Sequence, residues 1–256
     1  MGCNAVIVMA RLHSSRLPRK AIIEICGKRA IEYVFERAKA VKNADKVILI
    51  TSNLGEDVIL HNLAKNYNID FVIGDSNNKM QGMVAAVHKY KIDAFCTADG
   101  DDLFCSSELM DLAFEKLNNE QLDFIEGCKD FPIGAFTYCI NASALSKLYD
   151  LVDTEFTQMM FEFFKARRDL FKLGVLELPN DDYKFPDLRC TLDYFDDMRF
   201  FIKIIEQMKN NFTIKDVVSL VREYPELKLI NDYLNIEWRA NQIKQTNLIF
   251  KDVQHE

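Results

Sequence analysis

The stretch AVIVMARLHSSRLPRK, residues 5–20, places an apolar run directly before a loop that is rich in positive charge. The apolar run, residues 5–9, has the length and composition of a buried strand. Four cations follow it in the loop: Arg11, Arg16, Arg19 and Lys20. Guanidinium and ammonium groups at the carboxyl end of a strand suit phosphate oxygens, so the stretch predicts a phosphate site. A solvated basic loop is the alternative interpretation.

Composition limits the classes of protein to consider. The chain has 256 residues, of which 49% are hydrophobic and 28% charged, as in a globular α/β protein. Its net charge of -7 argues against nonspecific binding of nucleic acid. We find no apolar run of membrane-spanning length and no signal peptide, and we expect a cytoplasmic protein. The seven cysteines form no CxxC pair and are expected to be reduced thiols of the core.

Apolar patterns of strand and helix type alternate along the first half of the chain. Such alternation predicts an α/β fold with a mixed, mostly parallel sheet flanked by helices. The predicted strands are residues 5–9, 46–50, 71–73, 94–97, 124–127, 135–140 and 189–192. Later helices are predicted at residues 142–152, 155–168 and 196–208, and the chain is helical from residue 213. We therefore expect a main domain over residues 1–212 and a helical C-terminal extension, residues 213–256, packed on it.

The stretch TADGDDLFCSSEL, residues 97–109, places three carboxylates directly after a predicted buried strand. Asp99, Asp101 and Asp102 would repel one another unless a cation relieves them, and hard oxygen ligands suit Mg²⁺. A polar turn that leads into a helix capped by Ser106 or Ser107 is the alternative.

A third polar segment, DLRCTLDYFDDMRF, covers residues 187–200. Asp196 and Asp197 open a predicted helix, where negative charge is favourable, so we interpret them as structural. Asp193 precedes that turn at the end of the predicted strand 189–192, and it is a candidate second ligand for the same metal.

Together these segments resemble the cytidylyltransferase family that includes CMP-Kdo synthetase, acylneuraminate cytidylyltransferases and the spore-coat polysaccharide protein F group. The opening loop is similar to the pattern A-R-x-x-S-x-R-L-P-x-K, from Ala10 to Lys20. Residues 100–108 resemble GDxPLxxPE, which puts Asp101 rather than Asp99 at the magnesium aspartate. Residues 189–198 resemble RLTxDxxEDL, which puts Asp193 at the second metal aspartate.

The resemblance implies a Rossmann-like nucleotidyltransferase fold and Mg²⁺-dependent transfer of CMP from CTP to an acidic sugar or sugar-phosphate-like acceptor. Pyrophosphate would leave, and the product would serve the biosynthesis of a surface polysaccharide or glycan. The resemblance implies catalytic roles for Arg16, Lys20 and Asp101, and metal binding by Asp101 and Asp193. The nucleotide-binding residues that it implies are Ala10, Arg11, Leu12, Ser14, Arg16, Lys20, Ser52 and Lys79.

The sequence also departs from the family patterns. Arg19 stands where the loop pattern R-L-P-G-K has glycine, and residues 74–80 lack the charged, acidic character of the family's corresponding segment. The triphosphate end is kept better than the acceptor end. Two alternatives therefore stay open: a guanylyltransferase that acts on a sugar 1-phosphate, and a non-catalytic nucleotide-binding partner in the same pathway. An NAD-dependent oxidoreductase is disfavoured, because no GxGxxG follows the first strand.

Two further expectations concern the second half of the chain. Residues 131–136 and the cations Lys165, Arg167 and Arg168 are candidates for the acceptor site, although these three cations also fit a solvated helix face. The resemblance implies a homodimer interface within roughly residues 131–165, a segment that contains the aromatic run over residues 156–164; a helix buried in its own domain is the alternative.

Overall fold

The computed structural model of the chain describes residues 2–75, 78–157, 159–208, 211–244 and 248–251. Parts of three predicted segments lie outside the described residues. These parts are Ser76 and Asn77 of segment 74–80, Gln158 of the predicted helix 155–168, and residues 245–247 and 252–256 of the predicted extension.

A seven-stranded sheet forms the centre of the described structure. The strands, in chain order, are β1 Cys3–Met9, β2 Glu24–Ile25, β3 Lys28–Arg29, β4 Lys46–Thr51, β5 Asp70–Ile73, β6 Ile92–Asp99, β7 Phe124–Gly127, β8 Tyr138–Asn141 and β9 Leu173–Leu176. The sheet order is β5-β4-β1-β6-β8-β7-β9, while β2 and β3 form a separate hairpin. Only β8 runs antiparallel to its neighbours among these seven strands. The prediction of a mixed, mostly parallel sheet is confirmed.

Helices cover both faces of the sheet and bury two apolar layers. They are α1 Ala30–Lys39, α2 Val58–Asn66, α3 Lys79–Tyr90, α4 Ser107–Glu120, α5 Ala142–Leu151, α6 Met160–Ala166, α7 Phe195–Gln207, α8 Ile214–Glu223 and α9 Leu234–Lys244. The first layer packs α1, α4, α7 and α8 on one face, and the second packs α3, α5 and α6 on the other. Alternate side chains of β1 enter opposite layers, Val6 and Val8 the first and Ile7 the second. Both faces of β1 are therefore buried, which explains its unbroken apolar run.

Three predicted elements differ from the structure. Residues 189–192 are not a strand: Cys190 N–H donates to Ile133 and Leu192 N–H to Asp101, so their hydrogen bonds go to two separate segments instead of one ladder. Helix α6 begins at Met160 rather than at residue 155, and β8 begins at Tyr138 rather than at residue 135. Strand β9 and the β2–β3 hairpin were not predicted, because their runs are too short to show periodicity.

The C-terminal segment joins the same cores as the rest of the chain. Four apolar side chains of α8 lie in the first layer: Ile214, Val217, Val218 and Val221. Near the C-terminus, Phe250 forms an antiparallel bridge with Val152 and packs its ring edge-on against Phe163. The boundary between domains after residue 212 stays a prediction.

The aromatic run of residues 156–164 is divided between core and surface. Phe163 and Phe164 are buried in the second layer, whereas Phe156 is 55% exposed. Burial within the chain therefore accounts for Phe163 and Phe164, and an interface remains an interpretation for Phe156. Within the described ranges, no helix has both the length and the apolar character needed to cross a membrane.

Candidate active site

A cleft of about 1250 Å³ lies at the carboxyl ends of β1, β4 and β6. Ligands of open parallel sheets bind at this edge, where the strand order reverses on either side of the central strand. The opening loop, the loop after β6 and residues 191–193 all contribute to the lining. The cleft therefore lies where the sequence predicts the phosphate site.

Glycine is required where the ends of β1 and β6 meet. The Gly100 N–H donates to Met9 O at 2.8 Å. A Cβ at Gly100 would lie 2.7 Å from the Cβ of Ala10 and 3.0 Å from Met9 O, closer than such atoms approach. The absence of a side chain at Gly100 thus lets the acidic loop approach the cationic loop.

Two aspartates from distant parts of the chain converge on the ammonium group of Lys20. Lys20 Nζ lies 2.7 Å from Asp193 Oδ1, 173 residues away, and also donates to Asp101 Oδ2. The Arg16 guanidinium contacts the same oxygen of Asp193 at 2.5 Å. The structure thus brings together the three predicted catalytic residues, Arg16, Lys20 and Asp101, with the predicted second metal ligand, Asp193.

Burial and pairing shift the pKa values of these groups in different directions. Burial raises the pKa of Asp101 above its ordinary value, because Lys20 only partly offsets the lost hydration. Burial acts in the same sense on Asp193, yet Lys20 and Arg16 outweigh it and hold that pKa below its ordinary value. Burial would lower the pKa of Lys20, but Asp101 and Asp193 raise it. Lys20 therefore stays an ammonium and Asp193 a carboxylate at neutral pH.

The neighbouring acidic residues have other partners. Asp99 lies 3.4 Å from Lys79 Nζ, which places Lys79 on the cleft wall. Asp102 is buried beside Gly134 and Thr191, and burial, with Asp101 and Asp99 nearby, raises its pKa well above the ordinary value. Neither carboxylate has Lys20 as a hydrogen-bond partner in the described part of the chain.

A buried carboxylate, that of Asp57, supports the start of the opening loop. Its Oδ1 accepts the Leu12 N–H at 2.8 Å, and its Oδ2 accepts the hydroxyl of Ser52. Leu12 is 1% exposed and lies behind the cleft wall, whereas Ser52 belongs to the lining. The Ala10 N–H donates to Ile50 O at 3.1 Å. These groups fix the course of the loop, and their predicted contacts with a nucleotide stay predictions.

The remaining predicted nucleotide-binding residues, Arg11 and Ser14, line the cleft. Arg19 is exposed and lies outside the described lining, with a left-handed backbone at φ 58°. The residue that replaces the family's glycine thus keeps the backbone conformation that favours glycine, while its charge lies away from the cleft.

The donor chemistry of Asp101 and Asp193 fits Mg²⁺. One oxygen of each lies within hydrogen-bonding distance of a single nitrogen, so both can face one small cation. Mg²⁺ is commonly held by one or two carboxylates, and substrate phosphates and waters complete its shell. Across the described ranges, no group of three or more acidic, histidine or cysteine side chains forms a ready-made metal site. The pair therefore suits a cation shared with a phosphate, provided that Lys20 Nζ moves aside.

Aromatic side chains form part of the cleft lining. They come from three segments of the chain and are Phe131, Phe136, Tyr138, Phe161 and Trp238. The predicted acceptor segment 131–136 thus reaches the cleft. Trp238 lies within the predicted helical extension, and α9 brings it to the cleft.

The three cations predicted for the acceptor site are not among the described lining residues. Lys165 pairs with Glu126 at 2.8 Å, and Arg167 pairs with Asp169 at 3.2 Å. Neither of them nor Arg168 belongs to the described lining. Two other cations, Lys129 and Arg239, do line it, and Arg239 pairs with Asp187. The sequence offered little signal for these two, because both lie in segments without a recognisable motif.

Residues that support the site from behind were missed by sequence reasoning. Arg189 lies within a family motif, but the sequence predicts no role for it. It is fully buried and contacts Asp193 and Asp197. Its position between the apolar residues Leu188 and Cys190 is the one local signal of burial. Asp57 and Asn231 carry no such signal. Asp197 is buried at the start of α7, as its structural interpretation requires, and Asp196 pairs with Arg199.

Comparisons with known proteins identify the family of the chain. A family model described as cytidylyltransferase matches residues 5–251. The chain is 23% identical over 227 residues to an uncharacterised protein of Methanocaldococcus jannaschii, covering 88% of this chain and 93% of that protein. It is 20% identical over 229 residues to the spore coat polysaccharide biosynthesis protein SpsF of Bacillus subtilis, covering 86% of this chain and 94% of that protein.

A solved structure shows the same fold. The structure of a cytidylyltransferase from Leptospira borgpetersenii aligns with a TM-score of 0.82 at 21% identity, over 89% of this chain and 97% of that chain. The predicted Rossmann-like nucleotidyltransferase fold is confirmed. The match to the family model runs from β1 past Phe250. Because it covers nearly the whole chain, the chain belongs to the cytidylyltransferase family.

Proposed function

We propose that this chain transfers CMP from CTP to an acidic sugar or sugar-phosphate-like acceptor, with Mg²⁺, in the biosynthesis of a surface polysaccharide or glycan. The observation that carries the proposal is the convergence of Arg16, Lys20, Asp101 and Asp193 at one end of the cleft. The family supplies the nucleotidyl chemistry, and the cleft supplies room for a nucleotide and a second substrate.

The reaction forms a bond from an acceptor oxygen to the α-phosphorus of CTP and breaks the bond from that phosphorus to the bridging oxygen, so pyrophosphate leaves. Arg11, Arg16 and Lys20 would bind the β- and γ-phosphates and neutralise the charge on the leaving group. Lys20 has a flexible stem, so its ammonium can move from the aspartates to a phosphate of the arriving nucleotide. Bound at Asp101 and Asp193, Mg²⁺ would neutralise α-phosphate charge and help to align the acceptor oxygen.

The acceptor would occupy the aromatic half of the cleft. Flat aromatic walls suit the apolar faces of a sugar, and a few polar groups fix its orientation. Lys165 and Arg167 are engaged in ion pairs and are not lining residues, so we assign the acidic group of the acceptor to Lys129 and Arg239, which line the cleft. The pair between Arg239 and Asp187 would open or extend to include the acceptor.

Pyrophosphate release tests the proposal. The purified chain is assayed with CTP, GTP, UTP and ATP against a panel of acidic sugars and sugar 1-phosphates, each with and without Mg²⁺. We expect release that requires CTP, Mg²⁺ and one class of acceptor. Release with GTP and a sugar 1-phosphate would identify the guanylyltransferase alternative. Nucleotide binding without release across the whole panel would favour the non-catalytic partner.

We also propose that the chain forms a homodimer, on the basis of the exposed Phe156 at the start of the aromatic run. Sedimentation at micromolar concentration tests it, with Phe156→Glu expected to give monomers. Phe164→Glu is unsuitable, because that side chain is fully buried and the substitution would unfold the second layer. A monomeric wild type would remove the proposal.

A further inference from the structure

The guanidinium of Arg189 is fully buried behind the Asp193 carboxylate. It forms a two-pronged pair with Asp197, with Nε to Oδ1 at 2.7 Å and Nη2 to Oδ2 at 3.0 Å. Nη2 also lies 3.2 Å from Asp193 Oδ2. Lys20 and Arg16 contact the other oxygen, Oδ1. Asp193 is therefore held from behind by Oδ2, and its Oδ1 faces the cleft.

Asp197 fixes the backbone of the same turn. Its Oδ2 accepts the N–H of Asp193 and that of Tyr194, both at 2.9 Å. The Asp197 carboxylate, which orients Arg189, therefore also fixes the position of the main chain at Asp193. Position and side-chain orientation of Asp193 both depend on one buried group.

The C-terminal segment completes this arrangement. Asn231, which is 0% exposed, donates from Nδ2 to Asp197 Oδ1 at 2.9 Å and to Arg189 O at 3.2 Å. The Trp238 ring lies over Arg189, with 5.5 Å from the guanidinium carbon to the ring centroid. Trp238 is the single tryptophan of the chain.

We propose that Arg189, Asp197 and Asn231 form a positioning brace that holds Asp193 Oδ1 toward the metal and makes metal affinity depend on the C-terminal segment. The inference rests on the proposed function in taking Asp193 as a metal ligand. The three brace residues act through Asp193 and are positioning residues.

The physical reason lies in the freedom of a carboxylate. An unsupported aspartate can rotate and present either oxygen, or turn both toward Lys20 and Arg16, and each of these arrangements competes with metal binding. Partners that hydrogen-bond a ligating group from behind typically account for roughly 10- to 100-fold in metal affinity or activity. Asn231 is the brace member that can be removed without leaving a buried charge unpaired, so it is the informative position.

Mn²⁺ binding tests the brace. Electron paramagnetic resonance measures Mn²⁺ affinity of the full chain in the presence of a non-hydrolysable CTP analogue. We expect Asn231→Ala to weaken the affinity by roughly 10-fold or more. The matched control is Asn235→Ala in the same segment, since Asn235 is also buried but donates to Asp187 O at 2.9 Å instead of to the brace. This control is expected to keep the wild-type affinity.

Turnover gives a second readout. Asn231→Ala should shift the Mg²⁺ concentration at half-maximal rate by the same factor as the Mn²⁺ affinity, with kcat at saturating Mg²⁺ near the wild-type value. A purely structural role would instead lower the melting temperature without this shift. Arg189→Lys, which keeps the charge but loses the planar fork, should weaken Mn²⁺ binding in the same way.

The wild type provides a measurement that needs no variant. Because the Trp238 ring lies over Arg189, its fluorescence should change when Mn²⁺ is added to the chain already saturated with the CTP analogue, with the midpoint found by resonance. Wild-type Mn²⁺ affinity in folded Asn231→Ala or Arg189→Lys overturns the brace, as does unchanged Trp238 emission. If the wild type binds Mn²⁺ in this way but never releases pyrophosphate, the proposed function fails and the brace stands.

Discussion

The two halves of the cleft differ in how their charges are arranged. In the half proposed to bind phosphate, which contains Arg16, Lys20, Asp101 and Asp193, the two cations bond to aspartates that are 81 to 177 residues away, and Asp193 is buried. In the half proposed for the acceptor, aromatic rings form much of the lining, and the cations Lys129 and Arg239 come from separate segments. One half is a preorganised network of opposite charges, and the other is a set of single side chains from separate segments.

This difference implies that one half of the cleft carries out the reaction and that the other half selects the acceptor. A triphosphate always presents the same concentrated negative charge, so the half that binds it needs cations and carboxylates at fixed positions. An acceptor is recognised by shape and by a few polar contacts, which many combinations of side chains can supply. We therefore expect substitutions in the phosphate half to change rate, and substitutions in the acceptor half to change which acceptor is used.

Removing the buried charge of the phosphate half should have the largest effect. Asp193→Asn keeps the size of the side chain but removes an anionic oxygen from the metal site. We expect kcat to fall by more than the roughly 100-fold that outer partners of a metal ligand can account for. Asp196→Asn, three residues along and paired with Arg199 at the surface, should retain activity. Equal rates in the two variants would show that Asp193 is not a metal ligand.

Removing the counterion should separate rate from metal binding. Lys20→Ala loses charged hydrogen bonds worth about 1.5–3 kcal/mol each, so turnover should fall roughly 10- to 100-fold. Divalent cations should bind the nucleotide-free variant more tightly, because Lys20 no longer occupies the space between Asp101 and Asp193. Pyrophosphate release and Mn²⁺ titration measure the two effects, and Arg16→Ala should mainly weaken CTP binding. Unchanged CTP affinity in both variants would leave the loop without a role in phosphate binding.

The pH dependence of the rate should reflect Asp101. Burial raises its pKa above the ordinary value of 3.8, and only the carboxylate form binds metal. As pH falls through this raised pKa, the rate should therefore fall, and the acid limb should lie above that of an ordinary aspartate. More Mg²⁺ should move the limb to lower pH, because cation and proton compete for one carboxylate. Profiles of kcat/KM against pH at two Mg²⁺ concentrations check this. If the acid limb stays at the same pH at both concentrations, it reflects the titration of another group.

A substitution in the acceptor half should act on one substrate. Phe161 lines the cleft, and Lys165 Nζ lies 4.8 Å from its ring centroid. Phe161→Ala removes an aromatic contact worth about 0.5–1.5 kcal/mol, so the KM for the acceptor should rise roughly 2- to 10-fold. The KM for CTP should stay as in the wild type. Initial rates with each substrate varied in turn test the division of the cleft, and equal changes in both KM values would contradict it.

The smallest effect is expected at Arg19, which belongs to the opening loop but not to the lining. Its left-handed backbone costs a residue with a side chain about 1–2 kcal/mol, a cost that glycine avoids. Glycine also gains freedom in the unfolded state, so Arg19→Gly should raise the free energy of unfolding by at most about 1 kcal/mol. CTP affinity should not change. Urea denaturation and CTP titration measure the two quantities, and weaker CTP binding would place the Arg19 charge in the phosphate half.

The sequence predicted the features that are dense in a short window. The apolar run of β1 and the four cations after it lie within 16 residues, and the parallel sheet follows from the alternation of such runs. Local patterns made Asp193 a candidate partner of the acidic cluster, but only the family motifs singled out Asp101 within that cluster, 92 positions away. The misassigned strand at residues 189–192 has the composition of a strand, but its hydrogen bonds are divided between two loops.

The features of the site that the sequence did not predict depend on single long-range contacts. Asp57 reaches Leu12 across 45 residues, and Asn231 reaches Asp197 across 34. One polar residue in an ordinary helical or turn segment gives no signal of such a partner. Trp238 lies in the predicted extension, but the sequence does not show that α9 packs so that its ring lies over Arg189.

The bridge between Val152 and Phe250 has a consequence for synthesis on the ribosome. Phe250 packs on Phe163, so the second apolar layer gains one of its aromatic side chains only when nearly all of the described chain has emerged. Domains tend to fold as units during synthesis, and partly folded chains expose apolar surface. The nascent chain can form the contacts of Asn231 only after residue 231 is made, and it can complete this layer only after residue 250 is made. A translation pause placed after α6 would therefore leave apolar surface exposed, and chaperone capture should peak at such lengths.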